Sequence, residues 1–75
     1  MAKKKLPKIS IVIPAKDEEE NIGTLLARLD NVLGKIQGFK RDDFEIIVVC
    51  DNCIDDTEKK AKKHGVKTLR KIGNP

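Results

Sequence analysis

The sequence predicts a small α/β domain built on a three-stranded parallel sheet in the order β-α-β-α-β, and three observations carry that prediction. Glu45-Ile46-Ile47-Val48-Val49-Cys50 is a continuous, mostly β-branched run that breaks into short polar residues over Asp51 to Thr57. This is the pattern of a strand buried on both faces, then a turn, then a helix start. Ile22, Leu25, Leu26, Leu29, Val32, Leu33 and Ile36 recur at i, i+3, i+4 and i+7, which places them on one face of a helix. A shorter apolar run, Ile9 to Ile13, precedes that helix. Strands alternating with helices form parallel sheets, because each helix carries the chain back to the same end.

The elements follow in order. Residues 1–8 form a basic lead-in closed by Pro7, and residues 9–75 form one partial domain. Ile9 to Ile13 is the first strand, and Pro14 ends it because proline cannot donate to a sheet ladder. Asp17 is placed as the cap of the first helix, with Glu20 three residues on completing a capping box, and the acidic run suits the positive end of the helix dipole. Thr24, Arg28, Asn31 and Lys35 occupy the outer face, and Gly34 and Gly38 mark the exit. Phe39 to Phe44 connects to the second strand. The second helix begins at Asp55 or Asp56 and runs to His64, with Gly65 just past its end. Ala61 is its one clearly apolar interior residue, so it packs shallowly. Val66 to Ile72 is a weaker third strand, and Gly73-Asn74-Pro75 is a turn.

Seventy-five residues bury only roughly 60–65% of the surface of their unfolded chain, so this is one small domain at most. Right-handed crossovers leave two arrangements. In strand order 3-2-1 both helices lie on one face and the other is bare, to be covered by a carboxyl-terminal half or by a second copy of the chain. In order 2-1-3 the helices lie on opposite faces. Large bare apolar faces are rare in soluble monomers, so the chain reads as the Rossmann-like half of a larger domain.

Charged residues make up 37% of the chain and the net charge is +4, mostly from lysine. With two Phe, no Trp and no Tyr there is no base-stacking surface, which argues against nucleic acid as a partner. No apolar run approaches the roughly 20 residues that span a bilayer, and Lys3-Lys4-Lys5 is followed by no signal-type apolar segment. The expected compartment is the cytoplasm, with Cys50 and Cys53 reduced. Lys59, Lys60, Lys62 and Lys63 read as a solvated face; the alternative is peripheral contact with an anionic lipid surface on the cytoplasmic side.

Ligands of open parallel sheets bind beyond the carboxyl ends of the strands, which directs attention to the turn after Ile13 and the turn after Cys50. The first, Pro14-Ala15-Lys16-Asp17-Glu18-Glu19-Glu20, has no glycine and four carboxylates. It therefore lacks the Gly-x-Gly-x-x-Gly through which backbone amides approach a pyrophosphate. Carboxylates suit neutral donors instead, namely the ring N–H of a base and the hydroxyls of a ribose. Asp51, at the mouth of the second strand, faces such a ligand or else simply accepts turn amides. For any one of Glu18, Glu19 and Glu20 a solvated acidic turn is the blander reading.

Taken together, Ile11-Val12-Ile13-Pro14-Ala15-Lys16-Asp17-Glu18-Glu19 and Glu45 through Thr57 resemble the amino-terminal part of family 2 glycosyltransferases, which have the GT-A fold. That family's first strand typically ends in Ile-Pro-x-x-Asn-Glu and its second in Val-Val-Asp-Asp-Gly-Ser-x-Asp-x-Thr, with an Asp-Asn-Cys-x-Asp-Asp-Thr variant close to the sequence here. The resemblance implies that Pro14 and Ala15 line a nucleoside pocket through their backbones, that Glu18 contacts the nucleotide and that Asp51 reads the base N–H. Asp55 and Thr57 match the turn that closes the strand. It further implies a UDP- or GDP-sugar substrate, an inverting transfer to an acceptor hydroxyl or lipid phosphate, and a divalent metal (Mg or Mn) in the complete enzyme. Asp17 departs from the family's Asn, and Cys50 from a first Asp. The family's Asp-x-Asp and catalytic base fall beyond these residues, so neither a catalytic nor a metal-binding residue is expected in this chain.

Two other classes remain open. Cys50-x-x-Cys53 at a strand-to-helix junction has the spacing of a thioredoxin-like redox pair, favoured by a helix amino terminus. Asp51, Asp55 and Asp56 oppose it by disfavouring a thiolate, and a buried Cys50 is simply a small hydrophobe. Zinc held by Cys50, Cys53 and His64 lacks a fourth ligand. The remaining class is a non-catalytic nucleotide-binding or oligomerising half-domain.

Overall fold

A computed structural model describes residues 6–73. The elements are β1 (Ile9–Ala15), α1 (Ile22–Leu33), one 3₁₀ turn at Arg41–Asp43, β2 (Phe44–Asp51), α2 (Thr57–Lys63) and β3 (Lys67–Lys71). Most of the lead-in expected over residues 1–8 lies outside the described residues, as do Asn74 and Pro75 of the closing turn. Lys8 is already tied to the fold, its N–H donating to the Asp43 carbonyl at 2.8 Å.

The strands lie in the order β1-β2-β3, parallel throughout. Ile11 pairs with Ile46 and Ile13 with Val48, and Val48 in turn with Thr68. This is the 3-2-1 arrangement, and the 2-1-3 order is not adopted. Both helices share one face: Ile22, Leu26 and Leu33 of α1 and Ala61 of α2 join Ala15, Phe44, Ile46 and Val48 in a single core. The opposite face carries Val12, Ile47, Val49 and Leu69. No described residue covers it, and Val12 and Leu69 are each 58% exposed.

Three local expectations are corrected. Strand β1 does not stop at Ile13 but runs through Pro14, opposite Val49, to Ala15, opposite Cys50. It is an edge strand of this sheet, where a residue without an N–H is tolerated. Helix α1 starts at Ile22, not after Asp17. Asn21 is its N-cap residue without a side-chain bond, and no acidic residue falls in its first turn. Asp17 instead adopts a left-handed conformation, φ 48°, open to Asp at modest cost. The chain then turns on itself, with the amides of Asn21 and Ile22 donating to the Glu18 carbonyl. Helix α1 also ends at Leu33 and uses a narrower stripe than its periodicity suggests, since Leu25 and Val32 remain 45% and 56% exposed. A single flat sheet covers only one side of a helix, so the flank of a broad apolar face stays outside.

Helix α2 follows its sequence signals closely. His64 is its C-cap and Gly65 has φ +75°, the left-handed conformation that glycine adopts without strain. Thr57 and Ala61 are its two buried residues, as its weak amphipathicity implies.

Candidate nucleotide site at the carboxyl rim

Because β1 and β2 are parallel neighbours, the loops that follow them emerge side by side, and their side chains lock them together. The Thr57 hydroxyl accepts the Glu18 N–H at 2.7 Å and donates to the Asp55 carboxylate. Asp55 Oδ1 also accepts the Thr57 N–H at 2.9 Å, and its Oδ2 accepts the Glu19 N–H at 3.2 Å. In the reverse direction Asp17 Oδ1 accepts the Ile54 N–H at 2.9 Å. Lys60 reaches over from α2 to the Glu19 carbonyl at 3.1 Å. Thr57 is fully buried, so each of its polar atoms has to find a partner inside the protein. Partial burial alone would raise the Asp55 carboxyl, but hydrogen bonds from the Thr57 hydroxyl, the Thr57 amide and the Glu19 amide outweigh it and hold the group below its ordinary value.

The β2–α2 turn is anchored on its other side as well. Asn52 has φ +53° and donates its N–H to the Lys71 carbonyl at 2.8 Å. Its side chain makes a reciprocal pair with Gly73: Nδ2 donates to the Gly73 carbonyl and Oδ1 accepts the Gly73 N–H, both at 2.9 Å. Asn52 Nδ2 also reaches Asp51 Oδ1 at 3.1 Å. The half-buried Asp51 carboxylate is thereby held at the end of β2, the strand between β1 and β3.

Of the four residues expected to contact a nucleotide, Pro14, Ala15 and Glu18 line one cavity of about 220 Å³, together with Asn21, Ile22 and Leu25. Asp51 does not line it. It lies one strand over, beyond Val49 and Cys50, which pair with Pro14 and Ala15. All four stand at the carboxyl end of adjacent parallel strands or in the loop just after. A larger cavity, about 470 Å³, opens at the opposite end of the sheet among Arg41, Phe44, Glu45 and Lys67. Glu45, Lys67 and Arg41 there already have partners. Glu45 pairs with Lys67 at 2.8 Å and accepts the Ser10 hydroxyl, and these bonds hold its carboxyl below the usual value. Arg41 is engaged by Asp30 at 2.6 Å and by the Phe44 carbonyl at 3.1 Å.

The cysteines overturn their expected state. Cys50 and Cys53 are joined by a disulfide, with Cα atoms 5.5 Å apart, so the pair is not reduced in this structure. Neither sulfur sits at a helix amino terminus, because α2 starts only at Thr57. This removes the electrostatic basis of the thioredoxin-like reading. Zinc through Cys50, Cys53 and His64 fails too, since the sulfurs bind each other and His64 stands at the far end of α2.

The one cluster of three candidate metal donors among the described residues is equally committed. Asp17, Cys53 and Asp55 bring ligand atoms within 4.8 Å of one another. However, the Cys53 sulfur is in the disulfide, and the carboxylates already accept the Ile54, Thr57 and Glu19 amides. These residues do not fit a divalent metal, which needs free hard oxygen ligands. The interloop pairing of Asp17 with Ile54 is what sequence reasoning missed. The only local sign of it was an Asp where the helix did not yet begin.

A three-stranded parallel sheet with both helices on one face is a Rossmann-like α/β unit. The glycosyl transferase family 2 model matches residues 10–74, and the chain belongs to that family. It is 40% identical to a dolichol-phosphate mannosyltransferase from Pyrococcus furiosus, over 85% of this chain and 18% of that protein. Among solved structures it is similar to glucosyl-3-phosphoglycerate synthase from Mycobacterium tuberculosis in complex with Mn2+, UDP-glucose and glycerol 3-phosphate. The TM-score there is 0.62 at 29% identity, covering 85% of this chain and 21% of the synthase. A second complex of that synthase, with Mg2+ and UDP, gives a TM-score of 0.62 at 30% identity over the same shares. The chain thus spans about a fifth of the length of the relatives it matches. Among the described residues no helix is long and apolar enough to cross a membrane.

Proposed function

We propose that these residues form the nucleoside-recognition part of an inverting glycosyltransferase that uses a nucleoside-diphosphate sugar. Asp51 accepts the ring N–H of the base, Glu18 accepts the ribose hydroxyls, and the backbones of Pro14 and Ala15 form the wall between them. The supporting observation is the Glu18–Thr57–Asp55 hydrogen-bond chain, which fixes the Glu18 loop against the turn that follows Asp51. Preorganised acceptors of this kind raise affinity by sparing the ordering entropy of two loops.

In the whole protein, the acceptor oxygen attacks the anomeric carbon as the bond to the diphosphate breaks; a nucleoside diphosphate leaves, and the proton of a hydroxyl acceptor passes to a base outside these residues. This chain's part is to hold the nucleoside. A divalent metal in the whole protein would be held by residues outside this chain, since the one cluster of three donors among the described residues, Asp17, Cys53 and Asp55, is already committed. The synthase crystallised with UDP and with UDP-glucose favours a uridine nucleotide over a guanosine one. The lipid-phosphate acceptor implied by the mannosyltransferase relative's name is the corresponding acceptor reading, at a membrane surface. Titrating the protein with UDP and GDP, with Asp51→Ala alongside, tests the assignment. Binding by the wild type and its loss in the variant are the expected results. The purified 75 residues are expected to bind without transferring sugar.

A further inference from the structure

We propose that the Cys50–Cys53 disulfide is a reductant-sensitive latch on the nucleoside-reading turn: reduction by a dithiol loosens residues 51–54 and weakens nucleotide binding. The inference rests on the reading of Asp51 given above. The disulfide closes a loop whose two inner residues are Asp51 and the left-handed Asn52. One end of that loop is rigid. Cys50 is 1% exposed and lies within the β-ladder, between Ala15 and Arg70. The other end, Cys53, is half-buried and outside any element. So the bond fastens a turn to a fixed strand across the carboxylate that is to meet the base.

Two further features suit a latch better than a global staple. Cross-link stabilisation through chain entropy is smallest for the shortest loops, so opening this one leaves the β-ladder and core intact and acts locally. Cys53 also touches the other loop of the rim. Cys53 Sγ lies 3.6 Å from the Ala15 carbonyl. Ala15 lines the cavity that also contains Glu18, so a change at Cys53 is felt on both sides of the site.

Reduction begins when a thiolate of the dithiol attacks Cys53 Sγ, the more accessible sulfur. The S–S bond breaks, and Cys50 departs as a thiolate that takes up a proton. The second thiol then displaces Cys53 from the mixed disulfide. The protein gains two electrons and two protons, and the dithiol becomes a disulfide.

The test compares oxidised protein, protein treated with dithiothreitol, and Cys53→Ser, reading amide hydrogen exchange at Asn52 and Ile54 and titrating each form with UDP and GDP. Reduction should speed exchange at those two amides about tenfold while leaving Val48 unchanged, and should weaken nucleotide binding about fivefold or more. Cys53→Ser should behave as the reduced form and ignore dithiothreitol. Equal exchange rates at Asn52 and Ile54 in both redox states overturn the latch, and so does equal nucleotide affinity in protein that binds. If neither form binds either nucleotide, the functional reading of Asp51 fails, and the exchange rates alone decide whether the turn is redox-controlled. Should Cys53→Ser not fold, comparison of the oxidised and reduced wild-type forms decides between the same outcomes.

Discussion

The Thr57 hydroxyl accepts the backbone N–H of Glu18 at 2.7 Å across 39 residues of sequence. Through that bond a buried α2 side chain sets the position of the loop that follows β1. The same hydroxyl donates to Asp55, so one oxygen joins both turns of the carboxyl rim.

Replacing Thr57 with Val keeps the shape of the side chain but removes both roles of the oxygen. It leaves the Glu18 amide without its acceptor in a partly buried setting, which costs about 1–3 kcal/mol. Thr57→Ser should recover most of that loss. Urea unfolding of the three proteins measures the difference, and an unchanged midpoint for Thr57→Val contradicts the linkage.

Acid should weaken the rim. The Asp55 carboxyl is held below its ordinary value of 3.8, so the folded state binds its proton less readily than the unfolded state. Its contribution is fully present above pH 3.8 and is lost as the pH falls through the lower folded value. Asp55→Asn should unfold more easily at neutral pH and show a flatter stability profile below about pH 4. Thermal melts across that range test it, and parallel profiles for both proteins count against the hydrogen-bonded carboxylate.

The two sides of α1 should respond differently to truncation. Leu26 is 2% exposed and packs in the core, whereas Leu25 is 45% exposed. Leu26→Ala is expected to cost about 2–5 kcal/mol and Leu25→Ala about 0.5 kcal/mol or less. Comparable losses at both positions would mean that a layer of protein covers the outer flank of the helix.

Gly65 ends α2 with φ +75° and open space where a Cβ would go. Gly65→Ala should therefore cost about 1–2 kcal/mol from backbone strain alone, with no repacking. A crystal structure of the variant unchanged around His64, alongside the lower midpoint, is the expected outcome.

The sheet, its parallel sense and the second strand were legible because a β-branched run buried on both faces has few other uses. The end of α2 was equally plain, since Gly65 serves a backbone conformation that no contact is needed to explain. What failed were features decided across the chain. Asp17 has the local look of a helix cap, but its carboxylate is claimed by Ile54, 37 residues away, and local patterns carry no trace of that partner. Pro14 reads as a strand end, yet an edge strand tolerates it. The periodicity of α1 counted Leu25 and Val32 with Leu26 and Leu33, because spacing reports which residues are apolar and not how much of the face its neighbour covers. The cysteine spacing suggested a reactive pair, whereas α2 starts only at Thr57, so neither cysteine belongs to its first turn.

Asp51 is the residue on which the functional account turns. Ligand-observed NMR of the wild-type protein and Asp51→Ala with UDP and GDP is the most direct measurement. Saturation transfer to the base protons of at least one nucleotide, reduced about tenfold or more in the variant, is the predicted result, since a lost bond to a charged acceptor is worth about 1.5–3 kcal/mol. Equal transfer in the two proteins, or none to either nucleotide from the wild type, contradicts it.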